Sequence, residues 1–228
     1  MPKREDIFTN GEIYHIFNKT IDHKRIFIDE VPVNNFLRVL QYYRSSYSQK
    51  LSFSDHLDLE PDIRAIKNER ITDRNKFQFD ILTNCFMPTH FHFLFKQKKD
   101  EGILKGFSNT LNSFVRHYNI LSERTGPLFL PRFKSVRIKT EEQLKHVSRY
   151  IHLNPYSDGI VKDITEVFNY PFSSLKDYIS KNNRGLCNVE YILNLFGGDR
   201  IRYKKFVEDN ADYQRSLEEL KYLEKLNR

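Results

Sequence analysis

Hydrophobic and polar residues alternate in several stretches of this chain, the pattern of strands that bury one face. These stretches are residues 11–17, 77–85, 90–96 and the basic segment 127–140. Between them, apolar residues recur at the spacing of amphipathic helices over 33–47 and 102–124. The order strand, helix, strand, strand, helix, strand is typical of an α+β domain. We therefore predict a ferredoxin-like or RRM-like antiparallel sheet with helices on one face.

A further helix is predicted to follow the last strand. Thr140 is a suitable N-cap, and the acidic residues Glu141 and Glu142 suit the first turn. The helix is expected to run to about Leu153 and to end at Asn154-Pro155, because proline lacks the amide hydrogen that a helix needs.

The chain is predicted to contain one main domain and a C-terminal extension. Residues 1–180 form the predicted domain, within which the polar, aperiodic segment 48–75 is an insertion or a long loop, with helical turns in part of it. Residues 181–228 are predicted as a helical C-terminal extension, with a short helix near 189–196 and a charged helix over 211–226.

Charge, apolar content and cysteine count limit the classes of protein to which this chain can belong. The 228 residues carry 37 Lys and Arg against 30 Asp and Glu, a net charge of +7, which favours an anionic partner such as nucleic acid or is merely a basic surface. No stretch reaches the ~20 apolar residues of a bilayer span or has signal-peptide character, so we expect a cytoplasmic protein without a membrane partner. Cys85 and Cys187 are too few for a disulfide framework or a four-cysteine zinc site.

The segment Thr89–Phe95 reads THFHFLF and combines polar and aromatic alternation. On a strand, His90 and His92 point to one side, and the intervening phenylalanines point to the other, toward the helices. Two imidazoles side by side on an open sheet face suit two ligands of one metal ion. The alternative is a pair of exposed or hydrogen-bonded histidines without a metal.

A second polar set lies on the helix after Thr140. His146, Tyr150 and Asn154 follow one another at four-residue spacing and form a stripe apart from the apolar edge. Tyr150 is a packing residue or a nucleophile beside a metal ligand, and Asn154 offers an amide oxygen or a helix cap. Two histidines and one amide oxygen leave positions open for water or phosphate and suit loosely held Mg²⁺ or Mn²⁺.

Here the sequence resembles the REP-associated tyrosine transposases, single-tyrosine members of the IS200-like superfamily. His90-Phe91-His92 matches the family's HUH motif, two histidines around a hydrophobic residue, and RFKSVRIKT, RYIHLNP and YPFSSLKDY follow in the family's order over residues 8–180. The resemblance implies that His90, His92 and Asn154 are metal ligands and that Tyr150 is the nucleophile. Residues 18–27 lack the glycine that relatives carry in this loop.

The activity that this resemblance implies is metal-dependent cutting and joining of single-stranded DNA at hairpins or palindromic repeats. Attack by Tyr150 would give a 5′-phosphotyrosine and a free 3′-OH, and a second 3′-OH could reverse the step. His146 is a weak candidate for proton transfer. A non-catalytic DNA- or RNA-binding protein on the same fold is the alternative, and a two-histidine phosphoesterase lacks its second motif.

Contacts to DNA are expected from basic residues before the catalytic helix, with a solvated edge strand as the alternative. Arg116 and His117 are weaker candidates. The C-terminal leucines could make a dimer seam, so a monomer and a homodimer both stay open. The expected DNA-binding residues are Arg132, Lys134, Arg137 and Lys139.

Overall fold

The computed structural model describes residues 7–181 and 185–217. Its sheet is four-stranded and antiparallel, with the strand order β2-β3-β1-β4. This order and the βαββαβ sequence of elements are those of a ferredoxin-like plait, so the predicted α+β class is confirmed. The strands are β1 (Ile13–Lys19), β2 (Phe79–Met87), β3 (His90–Gln97) and β4 (Lys134–Ile138).

Helices occupy most of the chain between and after the strands. The predicted helices over 33–47 and 102–124 are present as α1 and α4, with shifted ends. Their bounds and those of the other helices are α1 (Glu30–Tyr43), α2 (Phe53–Leu57), α3 (Pro61–Thr72), α4 (Gly102–Leu121), α5 (Glu141–Ser157), α6 (Ile164–Val167), α7 (Leu175–Ile179), α8 (Glu190–Leu193) and α9 (Arg200–Glu208).

The segment 48–75 is largely helical rather than a long loop. It contains α2 and α3, each preceded by a residue that favours a helix start: the Ser52 side chain accepts from the Asp55 amide, and Pro61 opens α3. Helix α3 is mostly polar, and Ile71 is its one buried residue. Its sequence therefore lacks the hydrophobic periodicity from which a helix is predicted.

The prediction that the helix after Thr140 ends at Asn154-Pro155 is wrong. Helix α5 continues to Ser157 with Pro155 inside it. The turn stays helical because the Asp158 amide donates to the Asn154 carbonyl, and two later amides donate to the Pro155 carbonyl. The predicted N-cap is confirmed, since the Thr140 hydroxyl accepts from the Gln143 amide at 3.1 Å.

In the C-terminal part, the short helix predicted near 189–196 is present as α8 and a following 3₁₀ turn. Helix α9 lies in a segment for which no helix was predicted. The charged helix predicted over 211–226 is seen over 211–217. Its remaining residues, with most of the proposed leucine seam (Leu220, Leu223 and Leu226), lie outside the described residues.

The chain is divided into two compact units. Of the described residues, the first contains 7–80, 88–90 and 95–137, and the second contains 81–87, 91–94, 138–181 and 185–217. Each unit is built from segments that are distant in sequence. Within the part of the chain that the structure describes, no helix has the length and apolar character to cross a membrane.

In the first unit, an aromatic core joins strands to helices. Phe95 on β3 packs on Phe79 of β2 and on Phe107 of α4, with ring centroids 4.8 and 5.2 Å apart. Helix α4 comes very close to the end of α1 at Gly106. A Cβ at this position would be 2.7 Å from the Tyr43 carbonyl oxygen. Glycine at 106 is therefore required by this close approach.

In the second unit, the other two phenylalanines of the β3 motif are fully buried. Phe91 and Phe93 both pack on Phe86 of β2, at centroid distances of 6.2 and 5.4 Å. Helix α5 is buried from Ile151 to Ser157, and α9 contributes Tyr203, which stacks on Tyr178 of α7 at 4.8 Å. These contacts fix the strand that carries His92 and the helix that carries Tyr150 within one unit.

Candidate active site

Tyr150 lies in the third turn of α5, on a helix whose start is well defined by its cap and its acidic first turn. Its side chain is half-buried. Its backbone carbonyl accepts a hydrogen bond from the Gln214 amide nitrogen Nε2 at 3.2 Å, and Gln214 itself is buried. The predicted nucleophile is therefore held on a firmly packed helix, with its side chain partly accessible.

His92 on β3 meets Tyr150 directly. The two rings are perpendicular, with an interplanar angle of 89° and centroids 5.8 Å apart. The expectation that His92 stands on an open sheet face is wrong, because only 6% of its surface is exposed. Since His92 and Tyr150 belong to the same compact unit, the structure brings together the predicted nucleophile and one predicted metal ligand.

His90 lies two residues before His92 on the same strand and is half-buried. Its Nδ1 is 3.2 Å from the Thr89 hydroxyl. Burial, together with the nearby positive charges of Lys19 and His23, lowers the pKa of His90 to about 4. At neutral pH its imidazole is therefore uncharged, which is the form that binds a metal ion.

Asn154 is 2% exposed and lies inside α5, one turn after Tyr150. It does not cap the helix, so the alternative role as a C-terminal cap is wrong. Its amide nitrogen Nδ2 is buried and has no hydrogen-bond partner among the described residues. A buried amide group without a partner costs about 1–3 kcal/mol.

The kinds of donor at His92 and Asn154 would suit a divalent cation. Oxygen and nitrogen of an amide have nearly the same shape, and a half-turn of the Asn154 amide would place its oxygen where the unpartnered nitrogen lies. Such an oxygen would suit Mg²⁺ or Mn²⁺, for which an imidazole nitrogen can serve as a companion ligand. Among residues 7–181 and 185–217, no three His, Cys, Asp or Glu side chains cluster as a metal site, so a site here depends on the asparagine.

His146, the weak candidate for proton transfer, lies in a surface network. Its Nε2 is 2.9 Å from Glu142, and its Nδ1 accepts from the Arg149 guanidinium at 2.8 Å. Both ring nitrogens are therefore engaged by neighbours on α5. These contacts favour a surface histidine over a role for His146 in proton transfer.

The predicted DNA-binding residues are all exposed, but they do not form one row. On β4, Lys134 and Arg137 point to opposite sides because side chains alternate along a strand. Arg137 is paired with Glu12, at 2.8 Å from Nη2 and 3.1 Å from Nε. Arg132, Lys134 and Arg137 belong to the first unit and Lys139 to the second.

The weaker candidate Arg116 is exposed on α4, as is His117. Arg116 lines a surface groove of about 730 Å³ in the first unit, together with Asn112 and Asn119 from the same helix. The groove combines amide and guanidinium groups with an apolar wall. Such side chains contact both phosphates and bases in nucleic-acid complexes.

Sequence reasoning missed a buried polar group behind Tyr150. His152 is fully buried, and its ring nitrogens lie 2.8 Å from the Tyr203 hydroxyl and 2.9 Å from the Ser174 hydroxyl. Burial lowers the pKa of His152 to about 3. One signal was present in the sequence: Ser148 and His152 are four residues apart and flank the apolar Ile151, on the interior side of the helix.

Comparison with known proteins was made at the level of sequence and of structure. No family model matches the sequence, and no curated protein matches it. Among solved structures, it is similar to a REP-associated tyrosine transposase bound to a REP hairpin, with a TM-score of 0.54 and 17% sequence identity. The match covers 83% of this chain and 90% of that one. This chain therefore has the fold of a REP-associated tyrosine transposase.

Proposed function

We propose that this protein is a member of the REP-associated tyrosine transposases and acts as a metal-dependent endonuclease and strand transferase on single-stranded DNA with hairpins. The observation that carries the proposal is the contact of Tyr150 with His92, at a centroid distance of 5.8 Å. The shared fold supports it, because the similar solved protein is bound to a REP hairpin. The net charge of +7 supports an anionic substrate.

The chemistry assigned to Tyr150 is a transesterification. Its hydroxyl oxygen forms a bond to the phosphorus while the bond from phosphorus to the 3′ oxygen breaks. The phenolic proton leaves to solvent, and the departing oxygen takes up a proton to become a free 3′-OH. The 5′ end stays linked to Tyr150, so attack by another 3′-OH reverses the step and joins two strands.

His90, His92 and Asn154 are proposed to hold Mg²⁺ or Mn²⁺. When bound, the cation would polarise a non-bridging phosphate oxygen and offset the charge that develops during attack. The neutral state of His90 keeps its nitrogen lone pair available. His92 also contacts Tyr150, so the same strand residue would bind the cation and hold the tyrosine ring.

The alternative is a DNA- or RNA-binding protein without catalysis. The exposed basic side chains of β4 favour binding in either case. In the alternative, Tyr150 and His92 are a packing pair and no covalent product forms. The two functions therefore differ in one measurable product.

The test is an adduct assay. The full chain is incubated with Mn²⁺ or Mg²⁺ and end-labelled single strands that contain a hairpin, and a protein–DNA adduct resistant to SDS is sought. We expect an adduct with the wild type and none with Tyr150→Phe, which loses one hydroxyl and keeps the ring. Hairpin binding by the variant should stay within a few-fold of wild type. An equal amount of adduct from Tyr150→Phe would exclude Tyr150 as the nucleophile.

A further inference from the structure

A continuous chain of buried hydrogen bonds passes through the second unit behind Tyr150. The backbone N–H of Asn84 on β2 donates to the Ser174 hydroxyl at 2.9 Å, and that hydroxyl is 2.9 Å from His152 Nε2. On its other side, His152 Nδ1 is 2.8 Å from the Tyr203 hydroxyl, which donates to Ser148 at 3.2 Å. We call this set of residues the His152 chain.

Every residue of the His152 chain is buried: Asn84 is 3% exposed, and the other four have no exposed surface. Each of these hydrogen bonds is directional, and a buried polar atom that loses its partner destabilises the fold. A shift of any member would leave a polar atom without a partner in the interior. The His152 chain therefore resists rotation or sliding of the helices and the strand that it joins.

Those elements are the ones that determine where Tyr150 lies. Ser148 and His152 are both on α5, two residues before and two residues after Tyr150, so they lie on nearly the opposite side of the helix. Their direct partners are Ser174, at the start of α7, and Tyr203 on α9, and Ser174 in turn accepts from β2. The contact of Tyr150 with His92 is on the other side of the same helix.

We propose that His152 is a positioning residue, whose two hydrogen bonds fix the rotation of α5 and thereby hold the Tyr150 ring against His92. The proposal rests on the function proposed above and adds a residue to it. A misplacement of about 1 Å in a reacting group can lower a rate a hundredfold. Loss of a hydrogen bond in the His152 chain should therefore slow attack by Tyr150 more than it weakens DNA binding.

Two neighbouring tyrosines of the second unit provide a test variant and a matched control. Tyr203→Phe removes the hydroxyl that meets His152. Tyr178→Phe removes a hydroxyl that is also fully buried and donates to the Leu82 carbonyl at 2.7 Å, outside the His152 chain. The two rings stack on each other at 4.8 Å, so both variants lose one buried hydroxyl in the same region and keep the ring.

The first readout is the single-turnover rate of adduct formation with protein in excess, beside the Kd for the labelled hairpin strand. We expect Tyr203→Phe to lower the rate at least tenfold with Kd within threefold, and Tyr178→Phe to leave both within twofold. Ser174→Ala, which removes the other partner of His152, should behave as Tyr203→Phe and replaces it should that variant fail to fold. Equal rate losses in the two tyrosine variants, or no loss in either, would overturn the proposal.

The second readout does not depend on cleavage. Fluorotyrosine placed at position 150 reports the surroundings of that ring by ¹⁹F NMR. Tyr203→Phe should shift or broaden this resonance, and Tyr178→Phe should leave it in place. A wild type that makes no adduct would refute the proposed function, and the resonance would still decide the positioning role. An unchanged resonance in both Tyr203→Phe and Ser174→Ala would refute that role.

Discussion

The ring of Tyr150 stands at right angles to the ring of His92, so a helix residue and a strand residue far apart in sequence share one contact. His92 is 6% exposed, and its neighbour on the strand, Phe93, is fully buried. A buried histidine that faces a half-buried tyrosine can serve chemistry, packing or both. Substitutions on β3 separate these roles.

His92→Ala and His90→Ala are expected to lower adduct formation at least about a hundredfold at any Mn²⁺ concentration, because each removes a ligand of the cation. Hairpin affinity without metal should change by less than threefold. Phe93→Leu is the control, since it removes buried ring atoms from the same strand and leaves both histidines in place. The variants are compared by adduct rate and by thermal melting. Loss of stability with full cleavage in His92→Ala would assign His92 to packing.

Asn154 gives a graded test of the metal site. Asn154→Ala should raise the Mn²⁺ concentration at half-maximal cleavage by about tenfold or more, because an oxygen ligand is lost. Asn154→Asp should shift that midpoint back, since a carboxylate also binds hard cations. Thermal melts serve as the control for folding. A midpoint equal to wild type in both variants would exclude Asn154 as a ligand.

The basic residues of β4 are expected to differ in their effect on DNA binding. Lys134 is exposed, whereas Arg137 is already paired with Glu12. Lys134→Ala should weaken hairpin binding and reduce the slope of log K against log salt by about 0.7–0.9, as for one lost phosphate contact. Arg137→Ala should have a smaller effect, and Glu12→Gln should strengthen binding by freeing Arg137. Fluorescence anisotropy at several salt concentrations measures each slope. A Lys134→Ala slope equal to wild type would remove Lys134 from the interface.

Stability should fall on mild acidification because folding lowers the pKa of His15. Burial lowers the pKa of His15 on β1 to about 4, against about 6.5 in the unfolded chain. Between these values the unfolded state binds a proton that the folded state does not, so the free energy of unfolding decreases as pH falls from 6.5 to 4. Denaturant titrations at pH 7 and pH 5 measure this decrease. His15→Gln should reduce it by about 1 kcal/mol.

The control for this titration is His117→Gln, which changes an exposed histidine on α4. Its effect on the difference in unfolding free energy between the two pH values is the reference against which the effect of His15→Gln is judged. A pH dependence unaltered by His15→Gln would show that folding does not lower the pKa of His15. The sign of the effect follows from the lowered pKa alone and does not require the proposed enzymatic function.

Much of the fold could be predicted from the sequence, because strong periodic patterns mark the elements of the sheet and its main helices. The end of α5 could not, since proline normally stops a helix and only the later amides that meet the Pro155 carbonyl reveal the extra turn. Helix α3 could not be predicted either, because a helix with one buried side chain shows almost no hydrophobic periodicity in its sequence.

The candidate site divides in the same way. The spacing of His90 and His92 predicted a shared strand, which is present, and the four-residue spacing of Tyr150 and Asn154 predicted a shared helix face. Burial was not predictable: alternation placed His92 on an open face, whereas tertiary packing covers it. His152 was missed for the same reason, since a histidine's partners come from segments up to 51 residues away.

The division of the chain into two interleaved units has a consequence for how such a gene can change. The chain passes between the units at 80/81, 87/88, 90/91, 94/95 and 137/138. No single recombination point can therefore transfer either unit as one contiguous coding block, and even the short motif around His92 is divided between them. Exchange of DNA segments between related genes would have to replace nearly the whole coding region, whereas point substitution can alter each unit separately.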